Sequence, residues 1–277
     1  MNKAADIRTG DTGAASPEPR QGAKETSTVR RVLLLLQCLA DHPGETAQSL
    51  ARRLNLPRSS VHRLLAMLRD SDYVSQEPGG RFGPGLEMYR IAGKLGAHMP
   101  YSRMAEPYLQ ALCAQFNETS ILTLLERQQL KMFHAASGSP PDPMRYNIRL
   151  NALEPLLWGA TARVMLAHLS DEEIHSAIAR KEPSPADGHI ADEAELRASL
   201  RAIRADGYAI TLSHRTANAI GAAAPIFNGK EEIVGSLGLL IPEFRWLRSE
   251  QDGIIHALRQ AAAELSRQLG YSRRSPR

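Results

Sequence analysis

Apolar residues recur at helical spacing over residues 27–40, where Val32, Leu35, Leu36 and Leu39 share one side, and Pro43-Gly44 ends the run. Thr46 is placed to cap a short second helix over residues 47–54. After Asn55-Leu56-Pro57 a third helix is predicted over residues 58–69. Its Val61, Leu64, Leu65 and Leu68 stand at i, i+3, i+4 and i+7 and form a buried stripe. Residues 73–76 and 81–83 read as two short strands around Glu77-Pro78-Gly79-Gly80. Two short helices with a tight connection, followed by a β-ribbon, make a winged helix-turn-helix.

The pattern then changes. Residues 86–98 read as a helix with Leu86, Tyr89 and Leu95 on one side, weakened by Gly93 and Gly96, and Pro100 marks a break. Helices are predicted over 107–116, 160–169 and 249–269, and strands over 119–126, 130–136, 208–212, 220–227 and 233–240. Residues 137–147 hold three prolines and read as a loop. Ser170-Asp171-Glu172-Glu173 is a capping box opening another helix. Asp192-Glu193-Ala194-Glu195 is a weaker version of it, opening a helix that Gly207 stops. Helices and strands intermixed around one central sheet imply an α+β fold. The expected organisation is a disordered tail (1–25), a winged helix-turn-helix (26–85), a linker helix (86–100) and a larger domain (101–272).

Charge sharpens this division. The 277 residues carry a net charge of +4, but residues 24–98 hold 11 basic and 7 acidic side chains, whereas residues 105–272 hold 16 and 20. A basic first third on an acidic remainder suggests that the first third meets a polyanion. Projected at 100° per residue, the side of the third helix opposite its leucines carries Ser59, Arg63 and Ala66, with Ser60 and His62 beside it. Such a face fits a DNA major groove. Ala66 permits close approach, Arg63 can pair bidentately with guanine, and Ser59 and Ser60 can reach phosphate or a base edge. Arg58 in the first turn, His62 on the groove side and Arg81 on the ribbon complete the candidate DNA contacts. Arg30, Arg31, Arg52 and Arg53 are further phosphate candidates.

The stretch Ser49-Leu50-Ala51-Arg52-Arg53-Leu54-Asn55-Leu56-Pro57-Arg58-Ser59-Ser60-Val61-His62-Arg63-Leu64-Leu65, with Ser27-Thr28-Val29 before it and Arg81-Phe82-Gly83-Pro84-Gly85 after it, resembles the IclR family of bacterial transcription regulators. Glu118-Thr119, Leu166-Ala167, Ile203-Arg204-Ala205-Asp206-Gly207-Tyr208-Ala209 and Ala223-Ala224-Pro225-Ile226 extend the likeness over about residues 25–272. The resemblance implies double-stranded DNA with a pseudo-palindromic operator as partner, and a GAF-like C-terminal domain with a central antiparallel sheet that binds a small-molecule effector. It also implies a homodimer or homotetramer in the cytoplasm, with repression the commoner outcome. The effector residues it implies are Gly159, Ala160, Thr161 and Ala162, whose loop opens a helix and offers N–H groups to an anion, together with His214 and Ser236.

Several positions depart from the family pattern. Ala162 replaces a glycine, His214 a glutamate and Asn218 a glycine, while Gly238 and Leu240 stand where serines are usual. The family's pocket suits small organic acids, whose carboxylate needs N–H or hydroxyl donors. Fewer hydroxyls point to a more apolar or differently charged ligand, or to a pocket that has lost its ligand.

Other chemistry lacks its pattern. His175 follows Glu172-Glu173 in the wrong order for a zinc protease, no G-x-S-x-G surrounds a serine, and residues 78–85 lack the Gly-Lys-Ser/Thr ending of a phosphate loop. Cys38 and Cys113 are too few for a disulfide scaffold. No metal or cofactor is expected. The longest apolar stretch, residues 32–40, is too short for a membrane span, and the first residues lack the apolar run of a secretory signal. The alternatives to a DNA-binding regulator are an enzyme whose N-terminal module only dimerises, and a protein-interaction module.

Overall fold

Ser27 opens α1 (Thr28–Asp41) by accepting a hydrogen bond from the Arg30 amide at 3.3 Å. The chain, seen in a computed structural model that describes residues 27–96, 99–141 and 145–272, divides into two units between Lys94 and Leu95. The tail expected over residues 1–25 lies outside the described residues.

In the first unit, α2 (Ala47–Leu54) is capped by Thr46, whose hydroxyl accepts from the Ser49 amide at 3.3 Å. Asn55 then turns left-handed (φ 50°), a conformation asparagine tolerates, and α3 (Arg58–Asp70) follows Pro57. Helices this short are not stable in isolation, so packing must hold them. Leu35 and Leu39 of α1, Leu50 of α2, and Val61, Leu64 and Leu65 of α3 meet in one core, closed by Val74 and Phe82. Leu68, expected in the stripe, is only half-buried. The ribbon is a three-stranded sheet of β1 (Glu45–Thr46), β2 (Val74–Glu77) and β3 (Arg81–Pro84), with β3 in the middle. The two-residue β1 has no periodicity of its own and exists only through its pairing with Phe82 and Arg81. Next comes α4 (Leu86–Gly96), which buries no residue; the expected extension to residue 98 lies outside the described residues.

The first helix of the second unit starts earlier than the sequence pattern suggests. Helix α5 spans Pro100–Phe116, with Pro100 in its first turn, where its missing N–H costs nothing. Pro107, expected as a helix start, sits inside α5 and removes one backbone bond there. The sheet is six-stranded and antiparallel: β4 (Thr119–Glu126), β5 (Lys131–Gly138), β6 (Glu154–Pro155), β7 (Ala209–Leu212), β8 (Ala219–Phe227) and β9 (Ile233–Pro242), in the order β6-β5-β4-β9-β8-β7. Residues 137 and 138, expected in a loop, belong to β5.

Period-two alternation gives the sheet two apolar faces. Leu122, Leu124, Leu237 and Leu239 pack on α5 and on α9 (Gln251–Gln268). Met132, Ala209 and Ala223 face α6 (Ala160–Leu166) and α8 (Glu193–Asp206). Helix α7 (Asp171–Ala179) carries the full capping box, with the Glu173 amide donating to Ser170 Oγ at 3.3 Å and the Ser170 amide to Glu173 Oε2 at 3.0 Å. Asp192 caps α8 and Gly207 (φ 73°) ends it.

Gly238 sets how closely α6 lies on the sheet. A β-carbon there would stand 2.7 Å from Thr161 Cγ2 and 3.0 Å from the Ala222 carbonyl oxygen. Gly238→Ala is therefore expected to destabilise the second unit by about 1–3 kcal/mol, as overpacking does. Urea denaturation should show a lower midpoint at unchanged slope, and an unmoved midpoint would contradict the close packing.

Candidate functional site

The leucine stripe of α3 faces the core, so its opposite side faces solvent. Arg58, Ser59, His62, Arg63 and Ala66 are exposed, and Ser60 is half-buried. Among the described residues no ion pair engages Arg58 or Arg63. A cleft of about 570 Å³ runs between α3 and the ribbon, lined by Arg58, His62, Ala66, Arg69, Gln76 and Gly80. Other basic groups brace the ribbon. Arg81 donates to the Gly44 carbonyl at 2.8 Å, Arg53 pairs with Glu45 at 3.0 Å, and Arg69 donates to Gln76 at 2.7 Å. Arg30 and Arg52 are exposed, whereas Arg31 is half-buried with its Nε enclosed.

A second feature lies in the other unit. A cavity of about 380 Å³ opens between the sheet and the start of α6. Gly159, Ala160, Thr161 and His214 line it. Ala162 and Ser236, expected there, do not: Ala162 is wholly buried behind the lining, and the Ser236 hydroxyl donates to the Thr161 carbonyl at 3.1 Å. Ser236 thus fastens α6 to the sheet and has no hydrogen left for a ligand.

The cavity also holds an ion pair that the sequence pattern does not single out. Arg215 and Glu154 form an ion pair there, with side chains 20% and 21% exposed. Gly159 (φ 89°) makes room for it, since a β-carbon at that position would meet Arg215 Cδ at 2.6 Å. The turn carrying His214 and Arg215 is pinned at both ends: the Ser213 amide donates to the Ala219 carbonyl at 2.8 Å, and the Asn218 amide to Ser213 Oγ at 3.0 Å. Asn218 has φ 58°, which explains why asparagine can stand where the family pattern has glycine. Tyr146 Oη donates to the Asn218 carbonyl at 3.1 Å and holds the facing loop. His134 bonds Thr123 through Nδ1 at 2.9 Å and approaches Glu154 with Nε2 at 3.9 Å.

Burial governs the titration of these groups. It lowers the pKa of His134 to about 4, helped by the Arg215 charge, and that of His214 to about 4, helped by Arg163. Burial also lowers Arg215 to about 10, so it stays charged at neutral pH. Outside the cavity, His168 is likewise lowered to about 4 by burial.

A helix-turn-helix with a solvent-facing basic helix, joined to a sheet domain enclosing a metabolite-sized chamber, defines a class: DNA-binding regulators of transcription. Residues 28–78 match the IclR helix-turn-helix domain, and residues 96–267 match the bacterial transcriptional regulator IclR C-terminal domain. The chain belongs to the IclR family of bacterial transcriptional regulators. It is 24% identical to the HTH-type transcriptional regulator KipR of Bacillus subtilis, covering 90% of this chain and 99% of that one. It is also 24% identical to KdgR of Dickeya chrysanthemi, covering 88% and 80%. Among solved structures, a putative IclR regulator from Silicibacter superposes with a TM-score of 0.79 at 21% identity over 89% of this chain and 97% of the other. An IclR homologue from Microbacterium hydrocarbonoxydans, complexed with 4-hydroxybenzoate, superposes with a TM-score of 0.72 at 21% identity over 89% and 100%. The family and these named relatives are regulators and not enzymes, so the enzyme alternative falls. Among the described residues no helix is long and apolar enough to cross a membrane.

The histidine values fix a pH dependence. The unfolded chain binds protons on these imidazoles near pH 6.5, whereas the folded chain binds them only near 4. The unfolded state therefore holds more protons between those values, and stability must fall as pH drops through that window. Chemical denaturation at pH 6.8 and 5.2 should show a lower midpoint at the acid end, and His134→Gln should reduce the difference while His168 and His214 keep the rest. Equal midpoints for the unaltered chain would contradict the burial described.

Proposed function

We propose that this regulator binds double-stranded DNA as a dimer on a pseudo-palindromic operator, through α3, and that a small-molecule effector in the second unit's cavity changes that binding. The observation that carries the reading is the exposed face of α3 opposite the buried Val61, Leu64 and Leu65. In it Arg63 reads a guanine, Ala66 lets the helix approach, Ser59 and Ser60 touch phosphate or base edges, and Arg58 and His62 flank them. Arg81, with one nitrogen already on Gly44, reaches the backbone beside the groove.

Exposed apolar side chains support the dimer. Val29 and Leu33 on α1 are 69% and 55% exposed, and Leu86, Tyr89 and Leu95 on α4 are 78%, 62% and 68% exposed. Such side chains on two helices suit a second copy of the chain. Two recognition helices then sit about one DNA turn apart. Repression is the sign we favour; a structural neighbour from Agobacterium tumefaciens, BlcR, is described as a repressor. The regulator acts in the cytoplasm, where its DNA partner lies.

The effector follows from the cavity. With His134 and His214 neutral, Arg149 and Arg215 against Glu154 leave a net positive lining at pH 7, which suits an organic acid. The amides of the short α6 are not needed as its anion donors, because a guanidinium stands beside them. An effector shifts the DNA equilibrium only as far as its affinity differs between the two arrangements of the dimer.

Selection of bound duplexes from a random pool is expected to return a pseudo-palindrome whose binding weakens steeply with salt, as counterions compete for phosphate. Arg63→Ala should cost about 1–3 kcal/mol on the selected site and relax the preference at one base pair per half-site. An equal loss on every duplex would make Arg63 a phosphate contact, and no binding at low salt would overturn the reading.

A further inference from the structure

We propose that Arg215 and Glu154 together read the effector, and that the class they select is a carboxylate bearing an adjacent O–H or N–H donor, a 2-hydroxy or 2-amino acid. This rests on the effector reading of the cavity given above.

The ion pair leaves hydrogen-bonding capacity unmet on both partners. Glu154 engages Nη2 of Arg215, while Nη1 is buried and has no hydrogen-bond partner. A guanidinium carries five N–H donors, and one left dry is costly unless something else accepts from it. Both side chains line the cavity and are about one-fifth exposed, so a ligand entering it can reach the guanidinium and the carboxylate. The carboxylate, in turn, can take about four hydrogen bonds. His134 Nε2 stands 3.9 Å away, too far for a hydrogen bond. Glu154 therefore has capacity for a donor entering the cavity.

Stability alone gives little reason for such a pair. Burying opposite charges usually gains no more than an apolar replacement would. Here the pair also has dedicated support. Gly159 opens the space that the Arg215 side chain occupies, and the pinned turn from Ser213 to Asn218 aims it. Glu154 belongs to β6, held by its pairing with Met132 and Lys131 on β5. The two charges thus come from opposite walls and are fixed by separate elements.

A ligand that meets both must place an acceptor anion and a donor side by side. A carboxylate with a hydroxyl or ammonium on the next carbon does this within one carbon–carbon bond. A simple carboxylate satisfies Arg215 but crowds its charge against Glu154. A neutral amide satisfies neither fully. The two donor types differ in charge, and Glu154 favours the ammonium more strongly than the hydroxyl.

The test is isothermal titration of the full chain with two matched sets: propanoate, lactate, alanine and propanamide, then 3-phenylpropanoate, phenyllactate, phenylalanine and 3-phenylpropanamide. In at least one set, the donor-bearing acids are expected to bind about tenfold or more tighter than the simple acid, and the amide weakest, because a site built for a hydrogen bond rejects the analogue lacking it. Glu154→Gln, which keeps an acceptor oxygen but loses the charge, should weaken the donor preference, most of all for the amino acid, and strengthen the simple acid. Arg215→Gln should erase the preference for acid over amide, with Arg215→Lys restoring part of it. The double variant, Glu154→Gln with Arg215→Gln, leaves no lone buried charge and guards against a folding defect, checked by circular dichroism. Equal binding of the simple and donor-bearing acids overturns the proposal, as does an acid preference that survives Arg215→Gln. Binding of the amides alone overturns it while leaving the effector reading intact. Silence from every compound in both sets overturns it and counts against the effector reading too.

Discussion

Everything the first unit does depends on which way α3 is turned, and three side chains decide that. Val61, Leu64 and Leu65 are 0%, 2% and 1% exposed, locked against Leu35, Leu39 and Leu50. Each buried aliphatic side chain contributes about 1.5–3 kcal/mol, so rotating the helix to hide its polar side would forfeit most of the small core. Because the leucines are committed inward, Ser59, Arg63 and Ala66 are committed outward. The exposed polar face of α3 is the remainder left by the packing.

The same logic of one face buried and the other free recurs in the second unit. Alternate residues of the strands pack on α5 and α9 from one side, and the other side meets α6 and α8. Where α6 begins, the sheet is not covered, and the cavity is the space left there. Its position follows from Gly238 and Ser236, which bring α6 down onto the sheet, and from the pinned turn that carries His214 and Arg215. A ligand entering this space touches α6, β6 and the β7–β8 turn at once, so it can favour one arrangement of those elements over another.

Much of this is legible in the chain itself, for a physical reason. Periodic burial writes itself into the order of residues, so the leucine stripe, the capping box at Ser170 and the stop at Gly207 can be read directly. Features made by distant partners cannot. The strand β1 exists only because Phe82 and Arg81 lie beside Glu45 and Thr46. The start of α5 was obscured because Pro107, usually a helix opener, is carried inside it. The exposed polar face of α3 is readable because its residues share one helix. The cavity was only half-readable: its glycine loop has a pattern, but Arg215 and Glu154 meet across a gap in sequence, and nothing local marks their pairing. Ser236 misled in the opposite way, since a hydroxyl in the expected strand proved to be tied to Thr161.

If the orientation of α3 selects the bases, its exposed side must meet them. A structure of the chain on its selected duplex measures this directly. The account predicts α3 in the major groove, with the Arg63 guanidinium within hydrogen-bond reach, about 3 Å, of a guanine edge and Ala66 against the groove floor. A complex in which α3 faces away from the duplex, with another element gripping the DNA, would contradict it.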